Sequence, residues 1–469
     1  MNNKNNIQRR HFLKTIGAAS VATATSLSLS GCKSEKKEST AGNTMVEVPT
    51  DKMTYRVVPS TGDKVSLLGY GCMRWPLRKK ADGTGEEIDQ DAVNELVDYA
   101  IAHGVNYFDT APPYVRGWSE AATGIALSKH PRGTYFIATK MSNQRFAGKG
   151  LSQRELFNAS VEMYHNSLKN LQTDYLDYYL LHSIGGETGI PFYEERFISN
   201  GLLNYLLKER EAGRIRNLGF SFHGDVRVFD YALNSDVKWD FVQIQMNYID
   251  WQHASGRNVN AEYLLGELEK RNIPAIIMEP LLGGRLSRLG TEALNILAAI
   301  HPEDSAASWA FRYAGTPESV ITVLSGMVYM EHLQENIRTF SPLKPIESEE
   351  YAALEKVTEI MLNADYIQCN ECQYCMPCPY GVDIPNVFGH YNRIISAGKR
   401  LQSSNDENYR KARRAYLVGY DRKVPKLRQS SHCIGCETCN PLCPQSIDIP
   451  SEMRRIDLYT EQLKQLLDF

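Results

Sequence analysis

Between Met73 and Gln368 the chain contains no cysteine. Eight of its ten cysteines lie within residues 369–443, and only Cys32 and Cys72 stand apart. That distribution excludes a disulfide scaffold spread through the fold and leaves a local thiolate site. Excess charge of one sign is missing too: the formal net charge is −3, so neither nucleic acid nor a polybasic membrane contact is indicated. No run of about 18 apolar residues occurs after the N-terminal region, so no transmembrane helix is expected there. What remains is ordinary globular material, 42% hydrophobic and 23% charged. At 469 residues it exceeds one usual domain, although a barrel can use roughly 250 as a single unit.

The N-terminus reads as targeting. Lys4, Arg9 and Arg10 precede a weakly apolar run, "IGAASVATATSLSLSG", short and rich in Ala, Ser and Thr. The string "RRHFLK" (9–14) resembles the bacterial twin-arginine signal. "LSGC" (29–32) resembles a lipoprotein processing box with Cys32 as the lipidated residue; ordinary cleavage nearby is the alternative. Residues 1–32 are thus read as a signal and 33–53 as a polar, flexible linker. The expected location is the cell envelope on the exported side, with membrane contact only through a lipid anchor.

From 54 to 345 short apolar runs alternate with segments of helical period. The strand candidates are "VSLLGYGCM", "VNYFDT", "TYFIATK", "YLDYYLLH", "IRNLGFS", "FVQIQMN", "PAIIMEP" and "SVITVLSG". Helices are expected over 89–102, 152–170, 199–212, 225–234, 260–271 and 303–313. Eight such strands with intervening helices imply a closed α/β barrel, the (β/α)8 or TIM architecture. An open doubly wound sheet is the alternative, disfavoured because no GxGxxG follows the first strand. In a barrel the chemistry sits at the carboxyl ends of the strands. Asp109, Lys140, His182 and Ser221 occupy four successive strand ends, and Tyr114 follows Asp109 by five residues.

"GVNYFDTAPPYVRGWSE" (104–120), "FIATK" (136–140) and "YYLLHS" (178–183) resemble signature segments of the aldo/keto reductase family. The resemblance implies a catalytic tetrad of Asp109, Tyr114, Lys140 and His182 acting on a small-molecule carbonyl or alcohol. Tyr114 would be the general acid/base, its pKa lowered by Lys140; Asp109 would hold Lys140, and His182 would orient the carbonyl. The hydride would come from NADP or NAD. Ser221 and Gln243 fall where the family holds the nicotinamide carboxamide. Pro280, Leu281 and Gly283 fall in the pyrophosphate loop, and Ser325, Glu335 and Asn336 at the adenosine end. Phe222 stands where the family usually has Asn. Met327 and His332 stand where Lys and Arg often meet a 2′-phosphate, so the choice of dinucleotide stays open.

The cysteines form two motifs, Cys369, Cys372, Cys375, Cys378 and Cys433, Cys436, Cys439, Cys443, each followed by proline. Three close cysteines can wrap one cubane while a remote one supplies the fourth corner. The pattern resembles two-cluster ferredoxins and implies two [4Fe–4S] clusters in a small, mainly α-helical, ferredoxin-like domain over 346–469. By that resemblance Cys443 joins the first motif and Cys378 the second. Zinc is the competing reading. Twin-arginine export carries folded chains, so clusters could be inserted before export, sparing bare thiols an oxidising compartment. A nicotinamide at the destination would be one held tightly and exported with the fold. The leading expectation is an exported oxidoreductase with a possible redox-protein partner. The alternative is an electron-transfer or docking protein with an inactive barrel.

Overall fold

The computed structural model describes residues 48–465, apart from 187–188, 397, 399, 402, 404 and 406–407. The signal, Cys32 and nearly all of the linker fall outside the described residues. Eight parallel strands close into a barrel. They are β1 (Leu68–Gly71), β2 (Tyr107–Asp109), β3 (Phe136–Met141), β4 (Leu176–Ile184), β5 (Ile215–Phe222), β6 (Phe241–Gln245), β7 (Ala275–Met278) and β8 (Val320–Ser325). β8 pairs with β1, and β5 with β6, so no edge is left open. Each of the eight strand segments read from the sequence overlaps one of them.

These strands are buried on both faces because helices cover the outside. Every residue of β4 except Ser183 is buried. The helix Gln90–Ala102 shows how the covering layer forms. The Asp89 side chain accepts from the Ala92 N–H, and Val93, Leu96, Val97 and Ala100 turn one apolar face to the barrel. The helix Gln153–Leu171 starts with a reciprocal Ser152–Glu155 capping box.

A hairpin of Tyr55–Val57 and Lys64–Ser66, absent from the sequence reading, packs Val58 and Val65 onto interior residues including Tyr107, Tyr178 and Phe241. Three-residue strands carry too little periodicity to be seen in advance. Arg216 donates to both Asp63 (2.8 Å) and Asp177 (3.0 Å), tying this hairpin to the strands.

The helix Ser348–Asn363, placed by the sequence reading at the start of the second domain, shares its buried face with the barrel. Ala353, Leu354, Val357 and Met361 join one apolar cluster with Leu282, Trp309 and Tyr313. A separate core begins at Ile367. It packs the helices Ile384–Ser396, Tyr409–Lys423 and Ile449–Gln465 around Phe388, Tyr391, Tyr416, Tyr420 and Met453, with five cysteines against it. By packing, the helix Ser348–Asn363 sides with the barrel rather than with the later core. Among the described residues no helix is long and apolar enough to cross a membrane.

Candidate functional site

The barrel brings the tetrad together at the carboxyl ends of its strands. Lys140 in β3 donates to Asp109 Oδ1 at the end of β2 (2.5 Å) and to the Thr110 carbonyl (2.8 Å). Both side chains are almost wholly enclosed, 1% and 3% exposed. A buried pair of this kind is held by mutual charge, and removing one partner strands the other. Tyr114 lies in the turn Tyr114–Gly117, whose Val115 and Arg116 adopt left-handed φ of 48° and 58°. The Lys140 ammonium sits 4.8 Å from the centre of the Tyr114 ring. The His182 ring meets that of Tyr114 edge-on, with centres 6.0 Å apart.

The expected lowering of the Tyr114 pKa is not what these surroundings produce. Burial pushes the phenol well above its ordinary value, and the charges of Asp109 and Glu279 add to the rise. Lys140 is committed to Asp109 and faces the ring, so its charge does not offset burial at the hydroxyl. Tyr114 therefore keeps its proton at neutral pH. His182 is held well below its usual range, by burial first and then by Lys140 and Arg196. Its Nδ1 shares a 2.5 Å hydrogen bond with Ser142 Oγ, and its carbonyl accepts from Arg196 Nη2 at 2.6 Å. The imidazole is neutral, with its position set from two sides.

This has a consequence for stability. His182 and His223, the latter lowered to about 4 by burial, are neutral when folded but protonate in the unfolded chain below about pH 6.5. The unfolded state then binds more protons, so stability is complete above that pH and lost as pH falls toward 4. His223 alone contributes at most about 3 kcal/mol over that window, at about 1.4 kcal/mol per pKa unit. All five tryptophans lie in the barrel, so the urea midpoint read by their fluorescence should fall between pH 7 and pH 5. An unchanged midpoint would contradict these assignments.

The residues implied for the dinucleotide lie along the same rim. Ser221 in β5 accepts from the Ser183 N–H (2.8 Å), and Gln243 Oε1 in β6 is buried without a partner. These suit a carboxamide, which brings both a donor and an acceptor. Ser325 Oγ accepts from Asn336 (2.9 Å), while Glu335 Oε1 is buried and unpaired. Pro280, Leu281 and Gly283 follow β7, where barrels commonly hold phosphate, but this loop is already engaged. Glu279, at φ 55°, accepts from the Gly283 N–H (2.8 Å) and from Asn370 Nδ2 (3.1 Å). The ring end of the groove fits a nicotinamide; the phosphate end does not fit a pyrophosphate.

The cysteine segments lie on this same rim. Arg74, just past β1, donates to the Asn370 carbonyl (2.6 Å), and Arg285 donates to Gln368. From the loop after β6, Arg257 donates to the Cys443 carbonyl and Asn258 to Gln445, both at 2.9 Å. A Cβ on Gly256 would come within 2.2 Å of the Gln445 carbonyl oxygen, so only glycine lets the backbones approach this closely. Tyr374, between Cys372 and Cys375, is 38% exposed. Its hydroxyl is pushed well up by burial and then by the nearby Tyr114, Cys372, Glu279 and Asp109.

The thiols group across the motifs. Cys369 and Cys372 are pushed up to about 12 and about 11, by burial first, and both also feel Cys443. Burial likewise raises Cys375, whose neighbours include Cys369, Cys372 and Cys443. Cys378 lines a pocket with Cys433, Cys436 and Cys439, walled by Val382, Ile384 and Met453. Among the described residues no three candidate ligands converge on a single ion position. A cubane instead takes one thiolate at each of four irons, which suits cysteines grouped in this way.

A family model for aldo/keto reductases matches residues 67–359. The chain belongs to the aldo/keto reductase family. A 4Fe–4S dicluster domain model matches residues 368–448 of this reductase. Protein tas of Escherichia coli is 31% identical over 188 residues, covering 36% of this chain and 52% of that protein. The match thus spans about half of that relative's length. L-galactose dehydrogenase of Arabidopsis thaliana is 26% identical over 333 residues, 66% of this chain and 96% of its own. Aldo-keto reductase AKR11C1 from Bacillus halodurans superposes with a TM-score of 0.50 at 24% identity, over 65% of this chain and 96% of its own, a likeness of fold. This member of the aldo/keto reductase family therefore carries a 4Fe–4S dicluster domain after its barrel. Asn370, Tyr374, Glu279, Arg74 and Ser142 were not singled out in the sequence. Nothing local marks them, because their roles depend on which loops the cysteine segment meets.

Proposed function

We propose that the barrel interconverts a carbonyl and an alcohol on a small molecule, with Tyr114 as the proton donor in reduction and acceptor in oxidation. The observation that carries this reading is the placing of Tyr114 against both Lys140 and His182 at the barrel mouth. In reduction the substrate oxygen gains negative charge and takes the phenol proton. Lys140, paired with Asp109, lies against the Tyr114 ring and fixes its place. The neutral His182 ring orients the oxygen by hydrogen bonding. Family membership implies a hydride from NADP or NAD; the phosphate end of its groove is filled, so the proton half is what this chain's residues carry.

Two [4Fe–4S] clusters are assigned to Cys369, Cys372, Cys375 with Cys443, and to Cys433, Cys436, Cys439 with Cys378. They supply one-electron chemistry or structural support, and a redox protein is the fitting partner. Residues 1–32 are read as a twin-arginine signal and Cys32 as a lipid anchor. Cells fed a labelled fatty acid should label the wild-type chain but not Cys32→Ala; equal labelling would refute the anchor. For the catalytic reading, iron-loaded protein is assayed anaerobically on a panel of aldehydes, ketones and sugars, with NADPH, NADH or reduced viologen as donor. Turnover that does not depend on Tyr114 would favour the electron-transfer alternative.

A further inference from the structure

The segment Gln368–Cys375 meets the barrel where a dinucleotide would lay its phosphates. Gly283 follows β7 at φ 67°, and a Cβ built on it would lie 2.3 Å from Asn370 Cα and 2.4 Å from Asn370 Cβ. No phosphate can stand between atoms already this close. The one amide of the loop that would best serve a phosphate, Gly283 N–H, is already donated to the Glu279 carboxylate at 2.8 Å. That carboxylate also receives Asn370 Nδ2 at 3.1 Å, and Arg74 holds the Asn370 backbone carbonyl at 2.6 Å. Glu279 thus occupies the Gly283 amide, and Arg74 is already engaged with Asn370.

The contacts form a built interface. Arg285, in the same loop, donates to the Gln368 side chain and stacks its guanidinium 5.2 Å from the centre of the Tyr366 ring. The segment packed on the rim beside β7 is therefore the one that carries Cys369, Cys372 and Cys375.

We propose that the cysteine segment Gln368–Cys375 takes the place of the dinucleotide's phosphate half, so that the folded, iron-loaded protein neither holds nor exchanges NADP or NAD. The proposal rests on reading this rim as the barrel's cofactor groove. It differs from the expectation of a nicotinamide exported with the fold.

The test uses the full chain, purified anaerobically with its iron. Acid denaturation should release no stoichiometric nicotinamide nucleotide, and titration with NADPH or NADH to millimolar concentration should show no saturable binding by calorimetry. One nucleotide released per chain, or saturable micromolar binding, overturns the proposal. A double variant, Glu279→Ser with Asn370→Gly, removes both the competing carboxylate and the obstructing side chain. It should bind NADPH at least tenfold more tightly than the wild type. A variant that keeps its iron and its helical signal yet gains no binding would show that this segment is not what excludes the dinucleotide. If the variant loses its iron, the wild-type measurements decide alone. Tyr114-dependent turnover with reduced viologen reads the catalytic assignment separately, so failure of either conclusion is visible without the other.

Discussion

Tyr114→Phe should lower turnover by about 10²–10⁴-fold, the range over which positioned acid–base groups contribute, while leaving the fold and the iron content unchanged. The change removes one oxygen. The ring keeps its place over Lys140 and against His182, so the loss reports proton transfer rather than collapse of the site. Burial raises the phenol above its ordinary value, so the wild-type reductive rate should not fall through deprotonation of Tyr114 between pH 6 and 9. A lowered tyrosine pKa would instead make the reductive rate decline as pH rises toward 9. Retention of full activity in Tyr114→Phe would remove Tyr114 as the proton donor. The Lys140–Asp109 pair is a poor first target, because breaking a buried pair costs about 3–5 kcal/mol and confounds chemistry with stability.

Cys443→Ser should abolish one cluster, and that cluster should be the one held by the first motif. Cys443 lies beside Cys369, Cys372 and Cys375, although the second motif contains it in sequence. Two cubanes carry about eight irons, so iron content should fall by about half. The decisive comparison is a double-mutant cycle. If the ligands cross, Cys369→Ser combined with Cys443→Ser strikes one cluster twice and still leaves about half the iron. If each motif holds its own cluster, the same pair strikes both, and the iron falls toward zero. Cys378→Ser with Cys436→Ser should behave in the same way for the other cluster. Cys443 also offers its backbone carbonyl to Arg257, so loss of this cluster should loosen the domain's hold on the loop after β6. Proteolytic nicking near residues 254–260 would read that loosening.

Legibility differed sharply between parts of the molecule. The eight barrel strands were readable because each is a continuous apolar run of ordinary length, bounded by polar turns. The strand-end rule marked Asp109, Lys140 and His182 as candidates, and the family resemblance joined Tyr114 to them. The hairpin at Tyr55–Ser66 was not, since three residues per strand show no period. The helix Ser348–Asn363 fell within residues assigned to the second domain, because an apolar stripe does not say which core it covers. The direction of the Tyr114 shift was misjudged because adjacency to a lysine does not reveal whether the ammonium meets the hydroxyl or the ring face. Only the folded geometry, with Lys140 paired to Asp109, decides that.

Sequence alone determined what kinds of chemistry this protein contains: a barrel with a phenol, an ammonium, a carboxylate and an imidazole at its strand ends, and eight thiolates in two short motifs. Residue type and spacing along the chain suffice for that, because strand ends and closely spaced cysteine motifs are local features. Tertiary structure decided how the two chemistries meet. The contacts of Asn370 with Glu279, Gly283 and Arg74 join residues at least 87 positions apart in the chain. No local pattern encodes such contacts; they follow from two separately packed cores pressing their loops together at the barrel's mouth.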